Sequence, residues 1–123
     1  MTLKRDLVKY VRDKAKSQYK KGTCCYICDS TENLDFHHFN GLTELLETWL
    51  RIQKIQITSE EEILGLRERF ISEHTVEVYD EAVTLCHEHH LKLHSIYGKR
   101  PKLVTAKKQQ RWVERQREKH GLV

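Results

Sequence analysis

Leu85-Cys86-His87-Glu88-His89-His90-Leu91-Lys92-Leu93-His94 is the stretch on which the reading of this chain turns, because five of its ten residues are Cys or His. The spacing predicts a helix from Cys86 to about Tyr97, stopped by Gly98. On such a helix Cys86 and His89 stand three apart and share one face. His90 and His94 stand four apart and stack on another, a ready half-site for a divalent cation. Successive residues are rotated by about 100°, so one ion cannot easily collect His89 together with His90. Two ions with different jobs are therefore expected. His87 lies three before His90 and either joins that stripe or is an exposed helix-start residue.

Working outward, Cys25-x-x-Cys28 has the same two-residue gap as Cys86-x-x-His89. A tight turn can direct both of its sulfurs at one ion, at about 2.3 Å from each. The two pairs together supply three thiolates and one imidazole, a closed tetrahedral set suited to structural zinc. Cys24 is left over, either as a small packed residue or as a ligand in place of Cys25. His37-His38 closes a brief expected strand, Leu34 to His38. His74 and His120 carry no spacing signal and read as surface residues.

Composition supports a small metal-stapled domain. The chain has 123 residues, 38% hydrophobic and 33% charged, so a single large apolar core is not expected. Eight His and four Cys without a secretory signal or a membrane-length apolar run suggest a reducing cytoplasm, where clustered Cys reads as metal binding. The net charge of +4 fits nucleic acid as a partner without establishing it.

The remaining periodicity predicts helices around this core. Leu3, Leu7, Val8, Val11 and Ala15 place an amphipathic helix over 3–19, ended by Lys20-Lys21-Gly22. Asn40-Gly41 signals a turn. A helical insertion over 41–75 follows: one helix over 43–55, then a second from a Ser59–Glu62 capping box to about Glu73. Residues 76–79 and 82–85 have β-branched character and are expected to be extended. A basic helix over 103–119 carries Trp112 and Val113 as apolar anchors. The expected organisation is one domain over 1–123, with its metal-bound core in 23–40 and 80–97 and an α+β fold.

Taken together, Cys25-x-x-Cys28, Leu34-Asp35-Phe36-His37-His38 and Leu85-Cys86-x-x-His89-His90-x-x-x-His94 resemble the zinc-supported branch of the HNH endonucleases, the ββα-metal or His-Me finger nucleases. The resemblance covers 23–40 and 80–97 and leaves the flanking helices and the insertion uncovered. It implies a metal-dependent endonuclease that hydrolyses DNA phosphodiester bonds. It makes His38 the general base that activates water. It makes His37, His90 and His94 the ligands of a catalytic divalent ion such as Mg²⁺, Mn²⁺ or Ni²⁺, which stabilises the leaving 3′ oxygen. It assigns Cys25, Cys28, Cys86 and His89 to structural zinc. Stand-alone nucleases of this type are frequent in phage. Imidazole suits the base role because its ordinary pKa is near 6.5. Adjacent strand residues face opposite ways, so His37 and His38 are expected to flank one phosphate only where the strand breaks. The chain departs from the family at its fourth zinc ligand, His89 instead of Cys. It also lacks the middle Asn, whose place falls to Asp80, Glu81 or Asn40.

The competing reading is a non-catalytic zinc module that binds nucleic acid or protein. A purely structural finger has no need of His37, His38, His90 and His94. Lys99, Arg100, Lys102, Lys107, Lys108, Arg111, Arg115 and Arg117 offer phosphate contacts, or else a solvated face balanced by Glu114 and Glu118. The insertion is acidic, and its apolar Trp49, Leu50 and Phe70 must be buried within the chain or against a second copy or protein partner.

Overall fold

Two short strands set the frame. In the computed structural model, which describes residues 3 and 5–122, β1 (Leu34–His38) pairs antiparallel with β2 (Ala82–Cys86). Leu34 lies opposite Cys86 and His38 opposite Ala82. α4 (His87–Tyr97) leaves β2 without a break and packs back across both strands, completing a ββα finger. The fold is α+β, as expected. No helix among the described residues is long and apolar enough to cross a membrane.

The chain between the strands forms a helical module. α2 (Leu42–Gln53) and α3 (Glu60–Glu73) pack on α1 (Leu7–Ala15) around Tyr10, Val11, Leu46, Trp49, Ile63, Phe70 and Val78. Trp49, Leu50 and Phe70 are thus buried inside the chain, and the apolar face that called for a partner is already covered. The α3 cap forms as its sequence predicts: Ser59 Oγ accepts from the Glu62 N–H, and the Glu62 carboxylate accepts from the Thr58 N–H at 3.2 Å. α5 (Ala106–Lys119) closes the finger side, with Ala106 and Val113 joining Ile27, Phe39, Leu85 and Leu93 in a second core.

Several local expectations are corrected. The N-terminal helix expected over 3–19 covers only Leu7–Ala15, followed by a 3₁₀ turn over Lys16–Gln18; position 4 lies outside the described residues. The chain turns extended at Tyr19, whose ring stacks on Phe36 at 4.7 Å. Gly22 is no helix stop. Its N–H donates to Thr84 Oγ1 at 2.7 Å, and a Cβ there would meet the same oxygen at 3.4 Å. At Asn40-Gly41 the chain bends without a hydrogen-bonded turn, and Gly41, at a negative φ, is the N-cap of α2. Residues 76–79, expected to be extended, lie in a π-helical turn over Val76–Asp80 that buries Val78 fully. That turn lets the insertion re-enter the sheet, where the Phe39 N–H donates to the Glu81 carbonyl at 3.1 Å. The basic helix begins at Ala106, after a 3₁₀ turn over Leu103–Thr105.

Candidate active site

The spacing argument on α4 holds in space, because its two ligand pairs join different clusters. Toward the loop that carries Cys25 and Cys28, the knuckle, one ligand atom from each of Cys25, Cys28, Cys86 and His89 lies within 4.8 Å of all the others. Cys86 Sγ is 3.2 Å from His89 Nδ1, Cys25 Sγ is 4.0 Å from it, and Cys28 Sγ is 3.9 Å from Cys86 Sγ. The burial that raises the Cys25 thiol pKa is outweighed by the backbone N–H groups of Cys86, Cys28 and Ile27, which favour the thiolate. Burial and the neighbouring Cys25 push Cys28 up to about 11. Two crowded thiolates resist forming together, and a cation at their centre removes that conflict. Cys24 stands outside this set.

On the other face of α4, ring nitrogens of His37, His90 and His94 converge. His37 Nδ1 lies 3.1 Å from His90 Nε2, and His94 Nε2 lies 3.0 Å from that same atom. The second nitrogen of each ring is already committed. His90 Nδ1 donates to Asp35 Oδ2 at 3.0 Å and His94 Nδ1 donates to the Gly98 carbonyl at 2.7 Å. His37 Nε2 meets Gln109 Oε1 at 2.8 Å. A carboxylate and a carbonyl can only accept, so His90 and His94 turn bare nitrogens toward the centre. Burial pushes the His37 pKa down to about 3, and His90 downward, which keeps both rings neutral at pH 7. Neutral, oriented imidazoles are what a divalent ion requires. This donor set can hold a metal.

His38 is not in the metal cluster, but it lines the same cleft. That cleft measures about 310 Å³ and is also lined by Arg12, Tyr19, His37, His90, His94 and Lys99. The strand does not break between the two His, contrary to expectation; β1 runs through His38 and the cleft wraps around its end. Burial pushes His38 down to about 4, with a further push from the Arg12 charge, opposed by a backbone hydrogen bond to Val78. Its Nε2 is buried and has no hydrogen-bond partner. A buried ring nitrogen without a partner calls for a functional account.

None of Asp80, Glu81 and Asn40 bonds to His38 in the place of the missing Asn. Asn40 donates to Glu81 Oε1 at 3.3 Å instead, and the His38 ring packs edge-on against Tyr19 and Phe36. His87 is exposed and donates to Asp35 at 2.9 Å. His74, read as a surface residue, is half-buried and stacks on Phe70 at 4.5 Å.

Two contributors escaped the sequence reading. Asp35 shares the His37 face of β1, a two-residue period that was available as a signal. Gln109 lies on the buried Ala106–Val113 stripe of α5, where a polar side chain is out of pattern. The basic residues are less free than their count implies. Arg100 is paired with Glu44 at 2.8 Å and Glu47 at 3.2 Å, and Arg117 donates to the Tyr26 carbonyl at 2.6 Å.

A family model described as the nicking endonuclease family, from phage T5, matches residues 1–121. No solved structure matches the chain.

Proposed function

Because the chain belongs to the nicking endonuclease family, a family of DNA-cleaving nucleases, we propose that it is a single HNH nuclease domain that hydrolyses DNA phosphodiester bonds one strand at a time. The observation that carries this reading is the convergence of His37, His90 and His94 in a cleft that His38 also lines. His38, whose ring burial keeps neutral at pH 7, accepts the proton of the attacking water. Arg12, exposed at the cleft rim, and Lys99 meet the phosphate oxygens by charge. His37, His90 and His94 would hold the catalytic ion, and that ion, when bound, neutralises charge developing on the phosphate and on the departing 3′ oxygen. Cys25, Cys28, Cys86 and His89 would hold a structural zinc, which their three-sulfur, one-nitrogen set suits.

The chain offers one such His centre among its described residues, so each encounter cuts one strand. An all-imidazole set suits Ni²⁺ better than Mg²⁺, although all of Mg²⁺, Mn²⁺ and Ni²⁺ belong in the test. Contact with a second copy or partner through 41–75 is left with little to act through beyond exposed Ile52 and Leu64.

The test is supercoiled plasmid incubated with each ion and with EDTA. Open circles should accumulate before linear product, EDTA should stop the reaction, and His38→Ala should slow it by about 10²–10⁴-fold while keeping DNA affinity. Binding of DNA without cleavage under every ion would instead favour the non-catalytic zinc module.

A further inference from the structure

We propose that Gln109 on α5 is a positioning residue of the metal centre, fixing which nitrogen of His37 carries the proton. The inference rests on the reading of His37, His90 and His94 as an ion site and adds to it a residue 72 positions away from His37. Gln109 is fully buried, so its amide must be satisfied inside the protein. Its Oε1 lies 2.8 Å from His37 Nε2, and its Nε2 lies 3.3 Å from the Phe39 carbonyl and 3.0 Å from Thr105 Oγ1.

The direction of these bonds follows from the neighbours. The Phe39 carbonyl can only accept. Thr105 donates its single hydroxyl proton to the Lys102 carbonyl at 2.6 Å, so its oxygen faces Gln109 as an acceptor too. Two acceptors therefore demand the NH₂ end of the amide. Turning the amide over would set its oxygen against both of them. The oxygen must then face His37, so His37 Nε2 must be the donor. A neutral imidazole carries one proton, which leaves Nδ1 bare and aimed at His90 and His94.

This gives α5 a role beyond phosphate contact. The chain Lys102–Thr105–Gln109–His37 ties the start of that helix to the first metal ligand. Asp35 and Gly98 do the same job for His90 and His94, from within the finger itself.

The experiment has two measurements on the full chain with its knuckle ion retained. In wild type, a two-bond ¹⁵N–¹H correlation spectrum should show His37 as the Nε2–H tautomer; an Nδ1–H tautomer overturns the proposal. Calorimetric titration with Ni²⁺ should then give about 10–100-fold weaker binding for Gln109→Met than for wild type. Knuckle metal content should be unchanged. Equal Ni²⁺ affinity in Gln109→Met overturns the role of Gln109 and leaves the ion site standing. Absence of a Ni²⁺ site in wild type, or a His94→Ala protein that binds Ni²⁺ as wild type does, sinks the ion-site reading itself. If Gln109→Met does not fold, the wild-type tautomer still decides.

Discussion

The helical half and the finger half of this chain fill their interiors by different means. Around α1, α2 and α3 the buried set is apolar and large, with Trp49 against Phe70 at 5.5 Å and Tyr10, Leu46 and Ile63 beside them. Around the two strands it is smaller: Ile27, Phe39, Leu85, Leu93, Ala106 and Val113, with Cys25 and Cys86 among them. The buried polar residues of the described chain, His37, Thr84, His89 and Gln109, all belong to the finger. One half is held by burial and the other by directed contacts among ligand-type side chains. The proposed catalytic site lies in the second, where imidazoles and an unpartnered ring nitrogen are kept at the cost of apolar packing.

The largest effect that separates the halves should come from the knuckle. A structural zinc supplies on the order of 10 kcal/mol in small fingers, which rivals the whole stability of a domain, about 5–15 kcal/mol. Cys86→Ser should therefore lose the tightly held metal and unfold the finger. Part of the helical circular dichroism should survive, contributed by α1–α3. Elemental analysis of the purified protein checks the premise, and a protein without metal that melts as a single stable unit would erase the contrast.

Phe70→Ala probes the other half. Phe70 is fully buried against Trp49 and His74, and truncation of such a ring costs about 3–5 kcal/mol. The melting temperature should drop while the knuckle metal stays bound. Loss of metal at the same time would mean that the halves fold as one.

A smaller effect is expected from acid. An unfolded His takes up a proton near pH 6.5, whereas folded His38 is held down to about 4 by burial. Above pH 6.5 both states are neutral and stability is full. Between pH 6.5 and about 4 only the unfolded chain is protonated at this site, so stability falls as pH falls, by about 1.4 kcal/mol per unit. The total is about 3–4 kcal/mol and stops growing below the folded pKa. In His38→Ala the slope of unfolding free energy against pH should flatten by about one proton; an unchanged slope would show that the His38 ring is not kept neutral by burial.

Sequence patterns captured local spacing better than long-range closure. The i, i+3 and i, i+4 offsets on α4 were enough to sort Cys86 and His89 from His90 and His94, because a helix converts spacing into direction. Ser59 and Glu62 marked the start of α3 for the same reason. The failures lie where tertiary contact overrides local preference. Val76–Asp80 has strand-like composition, yet it coils into a π turn because Val78 is needed in the core. No side chain in the place of the family's middle Asn bonds to His38, whose ring is instead bracketed by Tyr19 and Phe36. Gln109 was hidden in a helix that reads as basic and soluble, since a hydrogen bond across 72 residues leaves no periodic trace.

On our reading α4 serves two ions, one that holds the finger together and one that supports cleavage. The most direct measurement is metal content, melting temperature and plasmid nicking of His94→Ala, made side by side with wild type. Wild-type knuckle metal and melting temperature are expected, with ion-dependent nicking lost. Mild EDTA should likewise silence wild-type nicking before the knuckle metal is released. If His94→Ala instead strips the tightly bound metal and melts the fold, His94 belongs to the structural cluster and the two-ion account fails.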